Sequence, residues 1–148
     1  QRTVAAIGTY APVRVAAKTF GNHGSLMLSP QHRILVRDPL ADLVFGTPEV
    51  LVAAKHLVNG RNVQIVEGGM VTYVHLLFDQ HEIILSNGLA TESFLPGPQT
   101  LDAFENNIIE EIIGLFPELD PETGEGYGAA ARQILKKHEA QMLFGAAA

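Results

Sequence analysis

Apolar and polar positions come in short bursts over the first two-thirds of the chain and at wider spacing over the last third. Pro12 to Ala16, Ser25 to Ser29 and Ile34 to Arg37 are brief runs rich in Val, Leu and Ile, set apart by Gly, Asn and Pro, and they predict β-strands. Two hairpins are expected beyond them. Arg61 to Glu67 and Met70 to Phe78 flank Gly68-Gly69, while Ile83 to Ser86 and Leu89 to Phe94 flank Asn87-Gly88, the stronger of the two turn signals. Val50 to Val58, with its alanines and Leu57, predicts the one helical turn of this region, ended by Asn59-Gly60.

The period changes after Leu95-Pro96-Gly97-Pro98. Asp102 and Glu105 have capping-box spacing, and Phe104, Ile108, Ile112 and Leu115 then recur at helical spacing until Pro117 stops the helix. A Gly-, Pro- and Glu-rich loop follows from Glu118 to Gly128. A second helix is expected over Ala129 to Phe144, with Ala131, Ile134, Leu135, His138 and Met142 on one side. The expected organisation is a mainly β domain over residues 1–95 and a helical C-terminal extension, residues 96–148, packed on it.

Composition narrows the function classes. At 148 residues the chain suits one domain with a core that needs no disulfide. The scattered Lys and Arg and a net charge of −6 leave no footprint for nucleic acid. No apolar run approaches the roughly 18–20 residues of a membrane span. The chain has no cysteine, which excludes disulfides, cysteine-ligated zinc and a cysteine nucleophile within these residues. It also lacks a Walker loop, a dinucleotide fingerprint and a Gly-x-Ser-x-Gly elbow. No signal peptide is visible at Gln1, and the compartment stays open.

The chemistry concentrates in two histidine-bearing segments. In Leu28-Ser29-Pro30-Gln31-His32, a hydroxyl precedes an imidazole by three residues at a strand end. Pro30 holds Ser29 extended and sets a turn that can fold both side chains toward one point. Acyl transfer within a backbone needs a donor for the departing nitrogen and hydrogen bonds for the oxyanion. Histidine is poised near neutral pH for the first task, and a small hydroxyl suits the second. The plainer reading is a serine closing a turn and a half-buried histidine packed on a strand. In the second segment, a strand from Tyr73 to Phe78 would put Tyr73, His75, Leu77 and Asp79 on one face, where Asp79 could orient His75 and raise its pKa. Against this stand a core His75 bonded to backbone and a His81 at a solvated turn.

In order and wording these motifs resemble the hedgehog/intein (Hint) autoprocessing family, in its bacterial intein-like branch. Ser29 and His32 match the family's Thr-x-x-His motif with Ser for Thr. The strand before His81 and the Asn87-Gly88 turn match its later block, over roughly Val4 to Phe94. The resemblance implies a mainly β, pseudo-symmetric fold of bent hairpins. It also implies self-processing by an N-to-S or N-to-O acyl shift acting on the chain's own flanking polypeptide, with no cofactor. His32 would protonate the leaving nitrogen and Ser29 would support the oxyanion. His75 and Asp79 would form a second acid/base group, and His81 would lie near the C-terminal end.

Two departures bear on the outcome. Ala90-Thr91-Glu92-Ser93-Phe94 stands where a splicing intein carries its terminal His-Asn, so splicing through this end is not expected. Glu92 and Ser93 could form a polar pair at the site or cap the last strand. The family's opening Cys or Ser is not at Gln1, so self-processing would need an upstream nucleophile. The rival expectation is a non-catalytic structural or protein-interaction module with a Hint-like shell. A zinc site from His32, His75 and His81 matches no standard spacing and ranks well below autoprocessing. His23 is read as a turn residue, His56 as solvated beside Lys55, and His138 as a helix residue beside Glu139.

Overall fold

The computed structural model describes residues 2–74, 76–95, 106–120, 125 and 127–144. Its elements, in chain order, are β1 (Arg2–Ala5), β2 (Val13–Val15), β3 (Leu26–Leu28), β4 (Arg33–Arg37), α1 (Pro39–Phe45), β5 (Glu49–Ala53), β6 (Val63–Ile65), β7 (Met70–Tyr73), β8 (Ile83–Ser86), β9 (Leu89–Glu92), α2 (Asn106–Leu115), β10 (Gln133–Ile134) and α3 (Lys137–Phe144). The described residues are mainly β, with ten strands in three sheets, as a Hint-like fold requires. Contacts divide the chain into two units. One comprises Gln1–His75, Ile83–Glu92 and Arg132–Ala148, and the other Leu76–Glu82 and Ser93–Ala131.

The first unit holds all three sheets. A five-stranded sheet runs β10-β5-β4-β9-β8, a three-stranded sheet runs β3-β2-β6, and β1 pairs with β7. Alternation builds β2, where Val13 and Val15 are buried and Arg14 between them is exposed. β4 does the same with Ile34 and Val36. These side chains join Leu28, Val50, Val52, Val63 and Leu89 in one core, to which α1 and α3 contribute Ala41 and Ala140. β8 and β9 meet in the expected hairpin, and Asn87 (φ 50°) with Gly88 (φ 84°) supplies the paired positive φ of its turn.

Four expectations are corrected here. Val50 to Val58 opens as a strand, not a helix: β5 pairs with β4 and with β10, and Val50 to Ala53 are all buried. A continuous apolar run with β-branched Val50 and Val52 is what a strand covered on both faces looks like, and only Ala54–His56 takes a 3₁₀ turn. Gly68-Gly69 joins no hairpin. β6 pairs with β2 and β7 with β1, while Gly68 and Gly69 bond the backbone of Ala6. The second predicted helix starts later, at Lys137. Gln133 and Ile134 instead form β10, parallel to β5, and α3 buries Ala140 while His138 and Met142 are exposed. The strand expected from Tyr73 to Phe78 ends at Tyr73, so strand periodicity does not govern Asp79.

One helix went unpredicted although its signals are strong. Asp38 caps α1 by accepting from the Leu40 N–H at 2.9 Å, Pro39 opens it, and Gly46 closes it in the left-handed region (φ 77°).

The second unit is built on α2. Its core is Phe94, Ile112, Leu119 and Tyr127, with Leu77, Leu95 and Phe116 packed against it. Phe116 and Tyr127 meet edge to face at 5.1 Å between ring centroids. Pro117 follows the helix end as expected, but Leu115, placed on the apolar stripe from sequence, is exposed. The capping pair Asp102 and Glu105, and the start of that stripe at Phe104, lie outside the described residues.

Candidate functional site

The turn between β3 and β4 carries Ser29 and His32. The His32 N–H donates to the Ser29 carbonyl at 3.0 Å, which closes the turn around Pro30. Because β3 and β4 lie in different sheets, this turn crosses from one sheet to the other. Two further bonds fix it from below. Ala54 N–H donates to the His32 carbonyl at 2.9 Å and Lys55 N–H to the Pro30 carbonyl at 2.8 Å. Ser29 and His32 are both half-buried.

β9 brings the third side of the site. Pairing of Ile34 with Thr91 sets Glu92 beside Arg33. The His32 ring bonds the Glu92 backbone carbonyl through Nε2 at 2.9 Å, so Nε2 carries a proton and donates. Arg33 donates to both Glu92 carboxylate oxygens, at 3.1 and 3.3 Å. Glu92 is buried, and a buried carboxylate needs such a cation beside it. Main chain and side chain of Glu92 thus hold consecutive residues of β4's start. The geometry leaves the His32 ring anchored by one nitrogen, with Nδ1 as the position from which it could exchange a proton.

His56 adjoins this cluster. Burial, with the positive charges of Lys55, Lys137 and Arg33, lowers its imidazole below the ordinary histidine value. Its Nδ1 is sealed from solvent without a hydrogen bond, so the expected solvated ring is corrected. His23 is buried too, and its ring is fully engaged. Nε2 accepts from Phe20 N–H at 3.0 Å and Nδ1 donates to the Gly24 carbonyl at 2.7 Å.

The remaining expected site residues fall elsewhere. His75 lies outside the described residues. In the second unit, Asp79 is exposed, and His81 is buried rather than at a solvated turn. The His81 Nδ1 accepts from Ala131 N–H at 2.9 Å, which assigns the proton of a neutral ring to Nε2. Ser93 is buried and exchanges two bonds with Glu82: its N–H donates to the Glu82 carbonyl at 2.8 Å, and its Oγ accepts from Glu82 N–H at 2.9 Å. Among the described residues no cluster of three or more His, Asp or Glu is arranged to hold a metal ion.

Sequence reasoning missed Arg33 and His56. Arg33 follows His32 directly, and the register of β4 on β9 could have flagged it. His56 carried no local signal, because one of the charges that act on it, that of Lys137, comes from α3, far along the chain.

A mainly β fold in which a Ser-Pro-Gln-His turn links two sheets and is clamped by the final hairpin defines a class of protein. A family model described as the Hint domain matches residues 1–98, and the chain belongs to that family. Neither a curated protein nor a solved structure matches it.

Proposed function

We propose that this chain is the histidine-bearing part of an autoprocessing Hint domain, which rearranges or cleaves a peptide bond of its own polypeptide by an acyl shift. The observation that carries the reading is the half-buried His32 ring, fixed through Nε2 on the Glu92 carbonyl at the end of a turn that begins with Ser29. A ring held in this way loses little freedom when it meets a scissile bond, and positioning of this kind is a large part of catalysis. His32 would protonate the leaving nitrogen from Nδ1, and Ser29 would stabilise the oxyanion. The 148 residues contain no cysteine, so a thiol nucleophile would come from another segment of the polypeptide. Glu92 acts through Arg33 and its own carbonyl, and Ser93 and His81 act as structural bonds of their unit.

A second reading has specific support. The hydrogen bonds that fix His32, Glu92 and Ser93 are also those of a rigid, non-catalytic shell for protein interaction. One experiment separates the two: expression from the whole gene, with wild type and His32→Ala compared by intact mass. Cleavage that depends on His32 supports autoprocessing. An intact wild-type product, with a lowered melting temperature as the sole effect of His32→Ala, supports the shell.

A further inference from the structure

His56 stands beside the Ser29–His32 turn, and the chemistry proposed above leaves it unused. The 3₁₀ turn Ala54–His56 is fastened to that turn by the bonds from Ala54 to the His32 carbonyl and from Lys55 to the Pro30 carbonyl. The positive charge of Arg33 acts on His56, and Arg33 also holds Glu92, on whose carbonyl His32 rests. The two imidazoles therefore share one rigid backbone frame.

The protonation of His56 follows from its surroundings. Nδ1 is sealed from solvent and has no hydrogen bond. A proton there would be a buried donor without an acceptor, whereas a bare lone pair is the less costly state. The neutral ring therefore carries its proton on Nε2. A second proton would have to sit on Nδ1, against burial and against Lys55, Lys137 and Arg33. A buried polar atom left without a bond calls for an account. Here the account is a ring kept as a neutral N–H donor.

We propose that His56 is a neutral hydrogen-bond donor of the Ser29–His32 site, its Nε2–H holding the oxyanion that develops on the scissile carbonyl, with Lys137 adding positive potential. This rests on the autoprocessing reading. The nucleophile enters after losing its proton to solvent, and its electron pair forms the new bond to the carbonyl carbon. The carbonyl π pair moves onto oxygen, where the His56 Nε2–H bonds it without transferring its proton. The pair then returns, the carbon–nitrogen bond breaks, and the nitrogen takes the Nδ1 proton of His32. That ring enters the step as the imidazolium, charged from solvent, and leaves it as the neutral ring with Nε2–H still on the Glu92 carbonyl. Lys137 opens α3, whose Ala140 packs in the same core as Ala54 and Leu57. The C-terminal helix, beyond residues 1–98, thereby gains a part in the site.

The test has two parts. In the 148-residue chain, ring nitrogen NMR should find His56 neutral at neutral pH with its proton on Nε2, and Lys137→Met should raise its titration midpoint. In the whole-gene product, His56→Leu should slow cleavage by roughly 10²–10³-fold, the usual cost of losing an oxyanion donor. His56→Gln, whose amide nitrogen reaches the Nε2 position, should stay within about tenfold of wild type. Both variants should melt near the wild-type temperature. A proton on Nδ1, or wild-type cleavage by His56→Leu, overturns the proposal. If His32→Ala stops cleavage and His56→Leu does not, this role falls and autoprocessing stands. If the wild-type precursor stays intact, both fall.

Discussion

The His32 ring donates from Nε2 to the backbone carbonyl of Glu92 at 2.9 Å, across 60 residues of sequence. The acceptor is main chain, so it survives any substitution at position 92 that leaves β9 in register. The Glu92 carboxylate serves a different partner, Arg33, at 3.1 Å. One residue thus supports the site twice, and the two contributions can be separated.

Glu92→Ala removes the carboxylate and keeps the carbonyl. Stability should fall by about 1–3 kcal/mol, because Arg33 loses a buried, charge-assisted partner while its own side chain, 25% exposed, still reaches water. Cleavage of the whole-gene product should change little. Denaturant midpoints and intact mass measure the two effects, and a stable but inactive variant would move the carboxylate into the chemistry.

His32→Ala should slow the acyl shift by roughly 10²–10⁴-fold, the range of a general acid. Ser29→Ala should cost less, since one hydroxyl is only part of an oxyanion site. Time courses by gel give the order, and the reverse order would assign the main role to Ser29. The 148-residue chain by itself should yield no fragment when incubated with a strong thiol, because it contains no cysteine to form a thioester.

His23→Ala should destabilise without touching the chemistry. The ring accepts from Phe20 N–H and donates to the Gly24 carbonyl, so its loss strands two backbone groups at about 1–3 kcal/mol each at most. A lower melting temperature with unaltered cleavage is the expected pair of results.

Glu49 ties β4 and the segment leading into β10 to β5. Arg37, then Arg132, hold its carboxyl below the ordinary value of 4.5. With the folded value below the unfolded one, the stabilisation is complete above about pH 4.5 and is lost as pH falls through the folded value. Glu49→Gln should therefore show a shallower acid limb in melting temperature against pH. Glu49 is half-buried but its partners Arg37 and Arg132 reach solvent, so high salt should narrow the difference between the two proteins.

The two hairpin expectations show where local reading succeeds and where it stops. Asn87-Gly88 specifies its turn because both residues tolerate positive φ, and β8 pairs with β9 directly across it. Gly68-Gly69 carries a similar signal, yet β6 goes to β2 and β7 to β1. Competing strands decide pairing, and the turn residues carry no information about them. β5 shows the same limit from another side. Its apolar run suits a buried helix or a doubly covered strand equally, and β4 and β10 settle which it is.

By itself the sequence determined what short-range sterics and chemistry control. It set the α1 caps at Asp38-Pro39 and Gly46, the Pro30 turn that joins Ser29 to His32, the absence of a thiol, and membership of the Hint family. The tertiary structure decided what depends on neighbours far along the chain. It chose the strand partners, gave Glu92 to Arg33, buried the His56 Nδ1, and fixed which nitrogen of His32, His23 and His81 carries the proton. The physical reason is range. A turn or a cap is settled by the φ angles and hydrogen bonds of a few adjacent residues, while a ring's protonation and a strand's pairing are settled by whatever folding brings beside them.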